Sequence, residues 1–252
     1  MKSRLTLRDV LIGALMFLAL WQILAWIVNR PILPPPGAVL PAFVALLPGE
    51  LGLHLLASAG RVLAATALAV LVATPIGLGL GQTRGLDRAF SPLIAITYPI
   101  PKIVLLPVIY VLVGITDVSK VFLIAFILFF QILVVVRDEA ASLRPELLLS
   151  VRSLGAGRRA LFRYVYLPAS LPAVLTALRI SVGTAIAVLF IAEQSLTKWG
   201  LGYYIYNETY IVGRYTEMYT GILAMSLLGL LLYLAIYALD RRVNRHLYLE
   251  EM

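Results

Sequence analysis

The sequence predicts an all-α, polytopic membrane protein of about six transmembrane helices. Three observations predict it. Of the 252 residues, 61% are hydrophobic and only 13% are charged, whereas a soluble domain of this size sits nearer half apolar and a quarter charged. Mean hydropathy is +0.94. Six separate stretches are apolar over about the 20 residues that a helix needs to cross a bilayer.

The first stretch, Val10–Val28, follows Lys2, Arg4 and Arg8. It is longer than the ~7–15 residues of a signal core and runs into Asn29-Arg30-Pro31 rather than a small-x-small cleavage site, so it is a span. The second is Val62–Gly81. Its run Gly77-Leu78-Gly79-Leu80-Gly81 has no Lys-Ser/Thr after it, which predicts close helix packing rather than a phosphate cradle. The third, Ser91–Gly114, carries Pro92, Pro99, Pro101 and Pro107. Each proline removes a backbone donor, and irregular backbone at membrane depth needs protein or a wet cavity over it, which predicts a segment facing the bundle interior. A kinked helix, or an interfacial segment up to Ile100, fits the same residues. The last three stretches are Val118–Val136, Leu171–Ala192 and Met218–Leu239.

Between them lie Asn29–Arg61, Gln82–Phe90, Ile115–Asp117, Arg137–Ser170 and Glu193–Glu217. With the N-terminus inside, the inner segments hold Lys2, Arg4, Arg8, Arg84, Arg88, Arg137, Arg144, Arg152, Arg158, Arg159, Arg163, Arg241, Arg242 and Arg245, which is 14 of the 21 basic residues. That bias predicts two cytoplasmic termini. The net charge of +8 is then cytoplasmic-loop charge beside anionic membrane lipid, with no nucleic-acid partner implied. Trp199, Tyr203, Tyr204, Tyr206, Tyr210, Tyr215 and Tyr219 cluster outside as an interfacial belt or docking surface. The absence of cysteine excludes disulfides and thiolate metal sites. One transmembrane domain is expected over 1–252, with a cytoplasmic hairpin at 137–170.

In that hairpin Pro145 and Glu146 suit the first turn of a short helix. Leu147, Leu148, Val151 and Leu154 follow at helical spacing and make one apolar face. Gly155-Ala156-Gly157 is a C-terminal stop, and a second helix, Arg158–Tyr166, is expected to end at Leu167-Pro168. An apolar face on a cytoplasmic helix suits either a partner protein or the chain's own membrane domain.

The run Arg152-Ser153-Leu154-Gly155-Ala156, then Phe162-Arg163, then Val165-Tyr166-Leu167-Pro168, resembles the signature loop of binding-protein-dependent ABC importer permeases, Glu-Ala-Ala-x3-Gly-x9-Ile-x-Leu-Pro. Gly155, Val165, Leu167 and Pro168 hold its spacing. Leu149-Ser150-Val151 stand where Glu-Ala-Ala would fall, and Glu139-Ala140-Ala141 lies too early to replace it. Other stretches resemble the sulfonate, taurine and nitrate branch of that family: Leu33-Pro34-Pro35-Pro36 with Ala38-Val39-Leu40, His54, Arg61-Val62, Ile100-Pro101-Lys102, Leu106-Pro107, Ser119-Lys120, Ala192-Glu193 and Gly200-Leu201-Gly202.

The resemblance implies a methionine-importer-like (type I ABC importer) permease fold in the bacterial cytoplasmic (inner) membrane. It implies pairing with a second copy or a paralogue, a homodimer in the simplest case. An extracytoplasmic binding protein would deliver a small solute, an anion being one candidate. The hairpin would sit on a separate ATP-binding-cassette ATPase subunit that holds ATP and Mg, through Glu146, Leu147, Leu149, Ser150, Val151, Arg152, Leu154 and Gly155. This chain has no Gly-x4-Gly-Lys-Ser/Thr and needs no cofactor of its own.

Charges at membrane depth are costly and mark function. Tyr98, Lys102 and Glu193 are the pathway candidates. Lys102 would attract an anion there, or snorkel to an interface. Glu193 would cap a gate, meet the binding protein or stay solvated. Arg61 and Arg179 are expected to be interfacial anchors. His54 and His246 stand isolated. A stand-alone secondary transporter or channel is the alternative, but no Asp or Glu lies in the central part of a span, as proton coupling would require. An intramembrane enzyme would need a nucleophile–base pair or paired carboxylates, which the spans lack.

Overall fold

The computed structural model describes residues 7–194 and 197–244. Expectations placed on Lys2, Arg4, Arg245 and His246 lie outside the described residues. Every regular element among them is helical.

Helix α1, Leu7–Val28, stops at Asn29, whose φ of 42° is the left-handed position that ends helices. Helix α2, Pro36–Leu46, lies in a stretch expected to be loop. Pro36 sits in its first turn, where a missing N–H costs no hydrogen bond. Helix α3, Glu50–Gln82, begins at Glu50 rather than Val62. Its polar residues there hide the helix from hydropathy, because they bond to neighbouring segments instead of lipid.

The proline-rich third stretch is two helices, α4 (Arg84–Thr97) and α5 (Leu106–Val113), joined by a 3-10 turn at Lys102–Leu105. The chain bends by 82° at this break. Pro99 and Pro101 cannot donate, so the α-helical ladder cannot run through them. The segment was expected to face the bundle interior. In the single chain it is largely exposed, with only Ile94, Lys102, Leu106 and Ile109 buried.

Helix α6, Asp117–Ser142, opens on a reciprocal capping box between Thr116 and Ser119. The hairpin follows as α7 (Pro145–Ser153) and α8 (Arg158–Leu161). Its second helix does not end at Leu167-Pro168. A π-helical turn, Phe162–Tyr166, runs directly into α9, Leu167–Gln194, with the Leu167 N–H donating to the Phe162 carbonyl. The wider turn accommodates Pro168 without a break. Helix α10 (Leu201–Tyr203), a π-helical segment (Tyr204–Tyr210) and α11 (Tyr215–Val243) complete the chain. Five helices are long and apolar enough to cross a membrane, and the bent pair makes a sixth crossing.

The chain packs as two compact units. One holds the residues up to Ser58 with Glu193–Leu227, the other Ala59–Ala192 with the residues from Leu228.

Contacts in the second unit fix the direction of its helices. Arg61, near the start of α3, donates to Asp117 at the start of α6, from Nε at 2.9 Å and Nη2 at 2.6 Å. A Cβ at Gly77 would stand 3.0 Å from the Leu133 carbonyl, and one at Gly81 would stand 2.5 Å from the Arg137 carbonyl and 2.7 Å from Ala140 Cβ. Helices α3 and α6 therefore run parallel, and the chain between them must return. The bent pair α4–α5 is that return, which makes it a true crossing. The glycines meet α6 four residues apart, as small-residue packing requires. Tyr110 on α5 donates to the Ala192 carbonyl at 2.8 Å, so α5 and α9 end together. Arg179 on α9 lies 3.8 Å from Asp240 on α11. Arg61 and Arg179, expected as interfacial anchors, are each paired with an acid, Asp117 and Asp240, 56 and 61 positions away in sequence and beyond helical periodicity.

A Gly81→Val variant should lose about 1–3 kcal/mol, the usual cost of overpacking a tight contact. Gly79→Val should lose less, because a Cβ there meets nothing within 4 Å. Thermal unfolding of the purified variants checks both.

Candidate functional site

The described residues place candidate chemistry at three positions. The first is the hairpin. Gly155 has φ of +84° and its N–H donates to the Arg152 carbonyl at 2.9 Å. A left-handed turn after the last helical residue favours glycine, which has no Cβ to clash. Leu154 precedes it at the end of α7 and is 86% exposed, and Leu149 is 63% exposed. Val151 and Leu148 are half-buried, Glu146, Ser150 and Arg152 are exposed, and the side chain of Leu147 lies outside the described residues. The helix thus presents Leu149 as well as Leu154 to solvent, on different sides, rather than a single stripe.

The second position is the bend. The helix ends at Thr97, and its ladder cannot continue through Pro99 and Pro101 to serve the last carbonyls. Lys102 Nζ reaches back and donates to the carbonyls of Thr97 at 2.9 Å, Tyr98 at 2.9 Å and Ile100 at 3.2 Å. It also lies 4.5 Å from the Phe130 ring centre and 5.7 Å from that of Tyr98, within cation–π range. The side chain is 9% exposed. It does not snorkel outward; the acceptors it needs are supplied by the break itself. Tyr98 stays half exposed at the bend.

The third position joins Glu193, a pathway candidate, to residues not foreseen as a site. Glu193, expected to cap a gate, meet the binding protein or stay solvated, is completely buried, so it does not stay solvated. Ser58 Oγ lies 2.9 and 2.8 Å from its two carboxylate oxygens, and the Gly202 N–H donates to it at 2.9 Å. Ser58 in turn accepts from the Leu201 N–H at 2.7 Å. One turn earlier on α3, His54 is 2% exposed. Its Nδ1 lies 3.1 Å from both the N–H and the carbonyl oxygen of Gly200. Its Nε2 lies 3.2 Å from Glu208. The Nδ1 side of the ring therefore meets the Gly200 backbone while the Nε2 side faces the Glu208 carboxylate. The rings of Trp199, Tyr203 and Tyr204 surround the imidazole at 5.1–6.2 Å.

Sequence reading named Glu193 but missed its partners. Ser58 and Glu208 carry no motif, and His54 looked isolated because its partners are 146 and 154 positions away. Within the first unit these residues converge on one polar cluster. Tyr98 and Lys102 belong to the second unit, as does the hairpin.

Residues 70–245 match the family described as the binding-protein-dependent transport system inner membrane component. The chain belongs to this family. It is an ABC importer permease, a multi-pass protein of the inner membrane, of the branch that the taurine resemblance indicated. It is 29% identical over 242 residues to the taurine transport system permease protein TauC of Escherichia coli, covering 92% of this chain and 88% of that one. It is 29% identical over 228 residues to the formylaminopyrimidine transport permease protein ThiX of Halalkalibacterium halodurans, covering 90% of each. Its fold matches an inward-facing structure of the MetNI methionine ABC transporter with a TM-score of 0.65 at 22% identity, covering 77% of this permease and 96% of that chain. The methionine-importer-like fold expected from the resemblance is therefore observed.

Proposed function

We propose that this permease, acting as one membrane domain over its full length, couples to a separate ATP-binding-cassette ATPase through its 137–170 hairpin. It would do so as a pair of copies fed by an extracytoplasmic binding protein. The observation that carries this reading is the solvent-facing Leu154 beside the Gly155 turn. A leucine so exposed on a protein surface gains about 1.5–3 kcal/mol when covered. Glu146, Leu147, Leu149, Ser150, Val151 and Arg152 complete the contact, which depends on packing because Leu149 replaces the family's glutamate. ATP and Mg belong to the partner.

The solute is small and polar, and the taurine relative favours a sulfonate-like anion. The bend at Tyr98 and Lys102 borders the pathway. Carbonyl dipoles solvate the Lys102 ammonium without cancelling its charge, so an anion is still drawn to it. Within the first unit Glu193 holds the Gly200–Gly202 turn through Ser58 and the Gly202 N–H. Both termini are cytoplasmic, in line with the distribution of lysine and arginine.

Solubilised membranes containing the tagged permease should yield a complex with an ATPase subunit, and its ATP hydrolysis should rise with added loaded binding protein. Cysteines introduced at positions 3 and 250 should resist impermeant label in intact cells. Recovery of the permease alone with full transport activity, or ready labelling of either position, rejects the assignment.

A further inference from the structure

We propose that a second copy of this chain covers the outer face of the bent crossing, from Ile100 to Leu112, and walls in the bend that the single chain leaves half open; this rests on the pairing proposed above. The break lies between the two helices of one crossing, α4 and α5. It therefore falls inside the ~30 Å hydrocarbon core. Lipid, water and protein are the three media that can meet it there, and the observations exclude two of them.

Lipid is excluded by the break itself. Residues 98–101 are not helical. The Lys102 ammonium sits against them on three carbonyls and two rings, and among the described residues no carboxylate pairs with it. Irregular backbone and an ionised side chain at membrane depth persist only against protein or water. The chain's own cover is one-sided. Lys102, Leu106 and Ile109 are buried, whereas Tyr98, Pro99, Ile100 and Pro101 are all exposed.

Water is excluded by what flanks the break. Ile100, Val104, Val108, Val111 and Leu112 are exposed and have no polar side-chain atom. The last four recur at helical spacing and form one apolar stripe, on the side of α5 away from Leu106 and Ile109. Such a stripe is unfavourable against water. Leu71 on α3 and Ile180 on α9 are just as exposed, but they stand on unbroken helices that hydrocarbon can surround.

Protein remains, and at this depth it is itself a membrane chain. A stripe that meets its own copy across a two-fold axis is its own complement and needs no second surface. Helix faces in lipid associate through close side-chain packing of this kind. The bend, exposed in one chain, then becomes interior to the pair, and the Lys102 position is completed by the partner copy.

The chain has no native cysteine, so single cysteines report the surface directly. Val104→Cys, Val108→Cys and Val111→Cys are each made in the permease–ATPase complex and oxidised with copper phenanthroline. One complex per nanodisc keeps chance collisions out. The replaced valines are exposed, so the fold of the single chain is not at stake. A two-fold contact sets one position of the stripe against itself. At least one of the three should therefore link about half of the chains or more into permease dimers, at least about fivefold the yield of Leu71→Cys or Ile180→Cys. Native mass spectrometry counts the permease copies in the same sample. Two copies that link through Leu71→Cys or Ile180→Cys instead, or through none of the five positions, overturn this surface and leave the pairing standing. One copy per complex refutes the pairing itself, and the proposal with it.

Discussion

Leu154→Asp should detach the ATPase or uncouple its hydrolysis from transport, lowering uptake at least about tenfold. Covering one leucine side chain is worth about 1.5–3 kcal/mol, and about 1.4 kcal/mol is a tenfold change in an equilibrium constant. The aspartate adds the cost of burying a charge without a partner. The free chain loses nothing comparable, because Leu154 touches little of it at 86% exposure. The substitution therefore separates coupling from folding: the permease should purify in normal yield and unfold at the native temperature. Arg152→Ala should matter less, because the contact depends on packing and within the chain only the Arg152 backbone carbonyl is used, by Gly155. Co-purification with the ATPase and uptake into proteoliposomes give the two readouts. Intact complex and intact uptake in Leu154→Asp would remove the hairpin from the coupling path.

Glu193→Ala should be the most destabilising single change in the first unit. It strips the Gly202 N–H and the Ser58 hydroxyl of their acceptor inside a fully buried site. Each buried group left unmatched costs about 1–3 kcal/mol. For a chain of this size each kcal/mol is worth roughly 2–4 °C, so a fall of about 5–15 °C is expected in thermal unfolding. Glu193→Gln keeps an acceptor oxygen for both donors and should lose less than half as much. Equal losses in the two variants would mean that the carboxylate's charge, not its hydrogen bonds, stabilises the cluster.

Much of this was legible before the structure, and the reason differs from element to element. Hydropathy over about 20 residues found the crossings because bilayer thickness sets that length. Gly77 and Gly81 were readable as packing glycines because their spacing places both on one helix face. The proline run announced a break, but not its 82° bend or the lysine that fills it, since both depend on where the freed carbonyls point. The His54–Glu208 and Arg61–Asp117 pairs stayed hidden because only the tertiary fold brings them together. In the hairpin, the Gly155 turn and Leu154 were legible from the family spacing, whereas exposure of Leu149 on another side was not. The π-helical segment Tyr204–Tyr210 left no periodic trace, being tied by Thr209 Oγ1 to the Tyr204 and Ile205 carbonyls.

The bend at Tyr98–Lys102 has a consequence for the order in which the protein is made. The carbonyls of Thr97, Tyr98 and Ile100 accept from a lysine further along the chain, and that ammonium rests against Phe130, a residue synthesised later still. Hydrocarbon offers no substitute for those partners. When Val113 emerges, Lys102 is already present to meet those carbonyls, but Phe130 is not. The contact of the ammonium with the Phe130 ring forms only once α6 has followed, so the bend is completed after the third crossing itself has been made.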